Sequence, residues 1–81
     1  MFYVYLLVSK NKKRTISYVG YTNNLKNRLY LHNKSKGAKF TKGRKWTLVY
    51  YKSYDKKNTA MKEEYKLKKN YKLRNKIKFG L

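Results

Sequence analysis

Tyr5, Tyr18, Arg28, His32 and Glu64 follow one another along this chain, and side chains of these types can between them hydrolyse a phosphodiester. That reaction needs an attacking water, a group to accept its proton, a cation facing the phosphate and usually a metal ion. The tyrosines sit in short aromatic motifs, Tyr3-Val4-Tyr5 and Tyr18-Val19-Gly20. A phenol ionises near pH 10, so it needs a cation or a metal-activated water beside it to act near neutrality. Arg28 and His32 lie about 40° apart on a helix of about 100° per residue, beside Leu25 and Leu29. Both should therefore point toward whatever that apolar stripe covers. His32 is the only histidine and Arg28 is one of many basic groups, so each alone is bland, and their joint spacing behind Tyr18 is what gives them weight.

Glu63 and Glu64 are separated by a helical wheel. Ala60, Met61, Tyr65, Leu67 and Tyr71 span an arc of about 160°; Glu64 falls inside it and Glu63 outside, among Lys62, Lys66 and Asn70. A carboxylate in an apolar stripe is costly unless it is paired or binds a metal. The plain alternative is an ion pair between Glu64 and Lys68, worth a few tenths of a kcal/mol when exposed. If Glu64 holds a metal, a single carboxylate suits one mostly hydrated Mg²⁺ or Mn²⁺ rather than a two-metal site.

Charge sets the wider frame. The 81 residues carry 23 Lys and Arg against three acids, Asp55, Glu63 and Glu64, for a net charge of +20. Such a field draws in polyanions and favours nucleic acid as partner, although a lysine-rich background alone would also raise the count. With no cysteine there is no disulfide or cysteine-based zinc site. No leader-like segment is seen, and no apolar run nears the roughly 20 residues of a membrane span, so the expectation is a cytoplasmic protein with no membrane partner. No Walker-type loop or serine elbow is present, and no small-molecule cofactor is expected. The oligomeric state is left open.

The elements that must position these groups are short. Phe2 to Val8 alternates in character and reads as a strand; Ile16 to Tyr21 reads as a second, joined to it in a hairpin across Asn11 to Arg14. Gly20 inside the second strand signals a bulge or a close backbone approach. Thr22-Asn23-Asn24 is a capping cluster for a helix from Leu25 to Asn33. Ser35 to Arg44 reads as a loop and Trp46 to Tyr54 as the third strand. After a turn at Asp55 to Asn58, a helix capped by Asn58 or Thr59 should run to about Asn70, and Tyr71 to Phe79 should form a short last helix.

The motif order resembles that of the GIY-YIG endonuclease domain, from about Met1 to Lys76. Tyr3 stands where the family has Gly, and Val replaces Ile in both motifs; the strand character and both tyrosines remain. The resemblance implies one domain over residues 1–81, of α/β (α+β) class, with a three-stranded antiparallel sheet flanked by helices. It implies that Tyr5 and Tyr18 stand on adjacent strands near the scissile phosphate, Tyr18 in preference acting as base or orienting the water. Arg28 would face the phosphate, His32 would assist proton transfer, and Glu64, in an Ala60/Glu64/Lys68 pattern, would hold the metal. Gly37 to Arg44 followed by Trp46 to Tyr50 looks like the loop and third strand of the small free-standing bacterial members. There Lys39, Thr41, Lys42 and Arg44, with Lys68, are candidate nucleic-acid contacts, and a solvated basic loop is the alternative. The expected activity is metal-dependent cleavage of DNA, branched or damaged DNA included, in a repair-like setting. A non-catalytic basic module binding DNA or RNA, or an accessory protein of the ribosome, are the rivals.

Overall fold

The computed structural model describes residues 1–80. Three strands, β1 (Phe2–Lys10), β2 (Thr15–Thr22) and β3 (Thr47–Tyr54), form one antiparallel sheet in the order β2-β1-β3. Three α-helices, α1 (Leu25–Asn33), α2 (Lys57–Lys69) and α3 (Tyr71–Phe79), and a short 3-10 turn at Lys39–Thr41 complete the chain.

The central strand explains the layering. Val4 to Ser9 of β1 are all buried, so both faces of the sheet must be covered. On one face Val4, Leu6 and Val19 pack with Ala60 and Leu67 of α2, and Ile77 of α3 closes over them. On the other, Tyr5 and Leu7 pack with Trp46, Leu25, Leu29 and Leu48 beneath α1 and the loop that follows it. Each fully buried Leu or Val contributes about 1.5–3 kcal/mol, and the core is small. The aromatic residues provide much of the remaining bulk.

Local chemistry sets the helix ends. Asn24 Oδ1 accepts from Asn27 N at 3.1 Å and caps α1, while Thr22 Oγ1 accepts from Asn24 N at 3.1 Å. Asn70 caps α3 in the same way through Leu73 N at 3.1 Å. Helix α2 departs from expectation. It starts at Lys57, one to two residues before the anticipated cap, with no side-chain cap at all. Its first turn is instead closed by Ala60 N donating to Lys56 O at 3.1 Å, and the complete burial of Ala60 sets where that turn must sit.

Trp46 also departs, standing just outside β3. Asn33 at the end of α1 clips its backbone: Trp46 N donates to Asn33 Oδ1 at 2.6 Å and Asn33 Nδ2 donates to Trp46 O at 3.2 Å. The Trp46 side chain is buried instead, its Nε1 donating to Thr41 O at 2.9 Å. The sheet irregularity falls between Leu6 and Leu7, where β3 carries Val49 as the extra residue, and β1 pairs with β2 without a break.

Gly20 is therefore a place of close approach. It sits opposite Tyr5 in the β1–β2 ladder, and a Cβ there would fall on the Tyr5 hydroxyl, with Cζ at 2.6 Å. The bare backbone lets the buried Tyr5 ring cross over the edge strand. Gly20→Ala should therefore displace Tyr5 and destabilise the protein by about 1–3 kcal/mol, as overpacking does. A urea midpoint equal to that of the wild type would refute the contact.

Candidate active site

The site grows outward from Tyr5. Its Oη lies 2.9 Å from His32 Nε2, and His32 Nδ1 lies 2.8 Å from Thr41 Oγ1. Thr41 Oγ1 in turn donates to the Ala38 carbonyl at 2.9 Å. A carbonyl only accepts, so the single hydroxyl proton of Thr41 is committed to it. His32 Nδ1 must then carry a proton and donate to Thr41, which leaves Nε2 as an acceptor for the Tyr5 hydroxyl. The chain of donors runs one way, Tyr5 to His32 to Thr41 to Ala38 O, and it fixes the tautomer of a neutral imidazole.

The environment agrees with that assignment. His32 and Thr41 are fully buried and Tyr5 is 2% exposed. Burial and then repulsion from Arg28 hold the His32 pKa below its ordinary value. Burial pushes the Tyr5 phenol up; hydrogen bonding and charge from Arg28 work against this, while Tyr18 and Glu64 add to it. A cation on α1 and a carboxylate on α2 thus act on one phenol. Gly37 completes the cradle, since a Cβ there would stand 2.9 Å from His32 Cε1.

Tyr18 sits over this buried pair. Its ring centroid is 5.0 Å from that of His32 and 6.5 Å from that of Tyr5. Phe40 stacks against it at 6.1 Å with planes 23° apart, and Trp46 meets it edge-on at 6.4 Å. Tyr18 and Arg28 are half-buried. Of Tyr5 and Tyr18, Tyr18 is therefore the one with access to a water, and Tyr5 is a buried donor to His32.

Glu64 keeps 18% of its side chain exposed and pairs with Lys68 at 3.3 Å. Glu63 is 35% exposed and pairs with Lys66 at 3.5 Å. The helix face is narrower than the wheel suggests: Ala60 and Leu67 are buried, whereas Met61 and Tyr65 are exposed. Among the described residues no group of three or more His, Cys, Asp or Glu could form a metal cage. The donor set fits a hard, mostly hydrated divalent ion taking one carboxylate, and does not fit a two-metal centre.

The loop requires one correction. Thr41 does not face solvent; it is buried against His32 and cannot grip a phosphate. A bare sequence shows a polar residue among lysines and gives no sign of the inward turn. Lys39 and Lys42 on either side are exposed, and Arg44 is half-buried with Nη1 3.5 Å from Ser9 Oγ. Lys68 is half exposed, with its amine turned to Glu64. Sequence reasoning missed Gly37 as the wall behind His32, the Asn33 clip on Trp46, and the stacking of Phe40 on Tyr18. Each depends on a loop path that carries no periodic signal.

With this geometry in hand, residues 1–78 match the GIY-YIG catalytic domain. The chain is 45% identical over 67 residues to a UPF0213 protein of Oceanobacillus iheyensis, covering 82% of this chain and 74% of that one. It is 43% identical over 70 residues to one from Clostridium perfringens, covering 85% and 72%, and 42% identical over 67 residues to one from Staphylococcus haemolyticus, covering 82% and 78%. No solved structure matches the chain significantly. The chain belongs to the GIY-YIG family, whose domains are nuclease catalytic domains and bind nucleic acid, and its relatives here are small UPF0213 proteins. No helix among the described residues is long and apolar enough to cross a membrane.

Thr41→Val keeps the shape of the side chain but strands His32 Nδ1–H in the interior, while the Ala38 carbonyl keeps its bond from Thr41 N. It should cost about 1–3 kcal/mol, and Thr41→Ser should restore most of it. Urea denaturation of both variants measures this, and equal stability of wild type and Thr41→Val would break the chain of donors.

A second expectation concerns pH. Because the folded protein disfavours the imidazolium, the unfolded chain takes up the His32 proton first as pH falls. Stability from this group is full above about pH 6.5 and declines as pH drops from there toward the folded-state value. The urea midpoint of wild type should fall on the acid side, with a shallower fall in His32→Gln, which lacks the group. An equal fall in both would contradict a neutral buried His32.

Proposed function

We propose that this protein is a metal-dependent endonuclease that cleaves phosphodiester bonds in DNA, branched or damaged DNA included. The observation that carries the proposal is the Tyr5–Tyr18–His32 cluster, with Arg28 lining the same pocket as Tyr5 and a half-buried carboxylate, Glu64, on α2. A structural cluster needs neither a half-buried carboxylate nor a cation beside a buried phenol.

In this reading Arg28 presents its planar fork to the phosphate and stabilises the charge that develops on it. Tyr18 orients the attacking water through its hydroxyl. Tyr5 and His32 hold that constellation from behind: their donor chain locks the ring beneath Tyr18, and Tyr5 positions Arg28. Glu64 would hold one Mg²⁺ or Mn²⁺, which when bound supplies neutralisation of phosphate charge and acidification of water. Lys39, Lys42 and Arg44 contact backbone phosphates outside the reacting centre. Lys68 holds Glu64 in place through their ion pair.

The decisive experiment is cleavage of supercoiled plasmid, single-stranded and branched DNA with Mn²⁺ or with EDTA, alongside filter binding. Wild type should cut only with metal. Glu64→Gln should lose cutting and keep binding, and Arg28→Ala should lose about 10²–10³ in kcat, as when one preorganised donor is removed. Tight binding by both wild type and Glu64→Gln with cutting by neither would make the protein a basic nucleic-acid-binding module instead.

A further inference from the structure

We propose that Phe40 is a stacking platform for an unpaired nucleobase, and that it directs the site toward single-stranded or locally unpaired DNA. This deepens the nuclease reading, on which it rests for the identity of the neighbouring site. The starting point is how this chain treats its exposed aromatic rings. Tyr30, Tyr65, Tyr71 and Phe79 are exposed, and each has a cation over its ring: Lys34, Lys69, Arg74 and Lys78 respectively. Tyr51 is exposed but meets Tyr3 edge-on at 6.1 Å. Phe40 differs. It is 58% exposed, and no cation lies over it among the described residues.

Its inner side is nevertheless built in place. The ring lies nearly parallel to Tyr18 and 6.3 Å from Trp46, which is itself buried. The turn that carries it is anchored by Thr41 on His32 and by Trp46 Nε1 on Thr41 O. Phe40 is thus a largely exposed ring, set against the site tyrosine on an anchored turn. Lys39 and Lys42, both exposed, flank it on the same turn. An open aromatic face between cations suits a nucleotide, whose base stacks while its phosphates meet the lysines. A base in a duplex is stacked on both sides and offers no such face, so the platform selects a nucleotide that is already unpaired or easily extruded. The base held there would belong to a nucleotide next to the phosphate at Tyr18 and Arg28.

The test is equilibrium binding in EDTA, read by fluorescence polarisation, so that cutting plays no part. The probes are a labelled oligothymidylate, the same strand with abasic spacers, and a duplex of equal length. Phe40→Ala should weaken binding of the oligothymidylate about tenfold or more, within the range of one base–aromatic stack. Binding of the duplex and of the abasic strand should be unchanged, and Phe40→Tyr should retain wild-type affinity. An equal loss on all three probes, or no loss on the single strand, would overturn the platform and leave Phe40 as a cover for Tyr18. The outcomes separate from those of the nuclease reading. Selective single-strand binding without metal-dependent cutting by wild type would keep the platform and reject the enzyme. Cutting unaffected in Phe40→Ala, with unselective binding, would do the reverse.

Discussion

The hydrogen bond between Tyr5 and His32 is the interaction on which the rest of this structure depends. It joins the middle strand of the sheet to the last turn of α1, and through Thr41 it reaches the loop as well. Each partner is buried, so each must be satisfied inside the protein, and a fully satisfied network of this kind specifies one arrangement. The requirement propagates. Gly20 must be bare for Tyr5 to cross β2, and Gly37 must be bare for the imidazole to fit. Thr41 must turn inward, which takes Phe40 outward onto Tyr18 and brings Trp46 under the same loop.

The same arrangement divides the labour among groups that look equivalent in sequence. Tyr5 and Tyr18 lie in near-matching motifs, yet one is a buried donor and the other is half-buried above it. Arg28 and Glu64 lie on helices that cover opposite faces of the sheet, and the charge of each bears on the Tyr5 phenol.

A chain with a net charge of +20 must also limit its own repulsion. Two of its three acids form ion pairs one helical turn away, at 3.3 and 3.5 Å. Several cations lie over tyrosine and phenylalanine rings on the helices, where each contact is worth about 0.5–1 kcal/mol. The aromatic surface is therefore largely a set of seats for lysine and arginine, and this is what makes the uncovered ring of Phe40 stand apart.

How much of this is legible in the sequence follows from the range of the forces involved. Alternation in Phe2 to Val8 and the Asn24 cap are local signals, and β1, β2, α1 and α3 fall close to where they point. The wheel sets Glu64 inside the apolar arc and Glu63 outside it, and the structure leaves both half-buried, Glu64 the more so at 18% against 35% exposed. Gly20 announced a close approach without revealing that Tyr5 causes it. The start of α2 was misplaced because burial of Ala60, a tertiary constraint, outranked capping preference. The inward turn of Thr41, the tautomer of His32, the cradle at Gly37 and the stacking of Phe40 were decided by the tertiary structure alone. Local patterning on the chain determined the elements, the charge and the order of the site residues. Which polar groups would be buried together, and so which would face one another and which the solvent, depends on contacts between distant segments that no periodicity records.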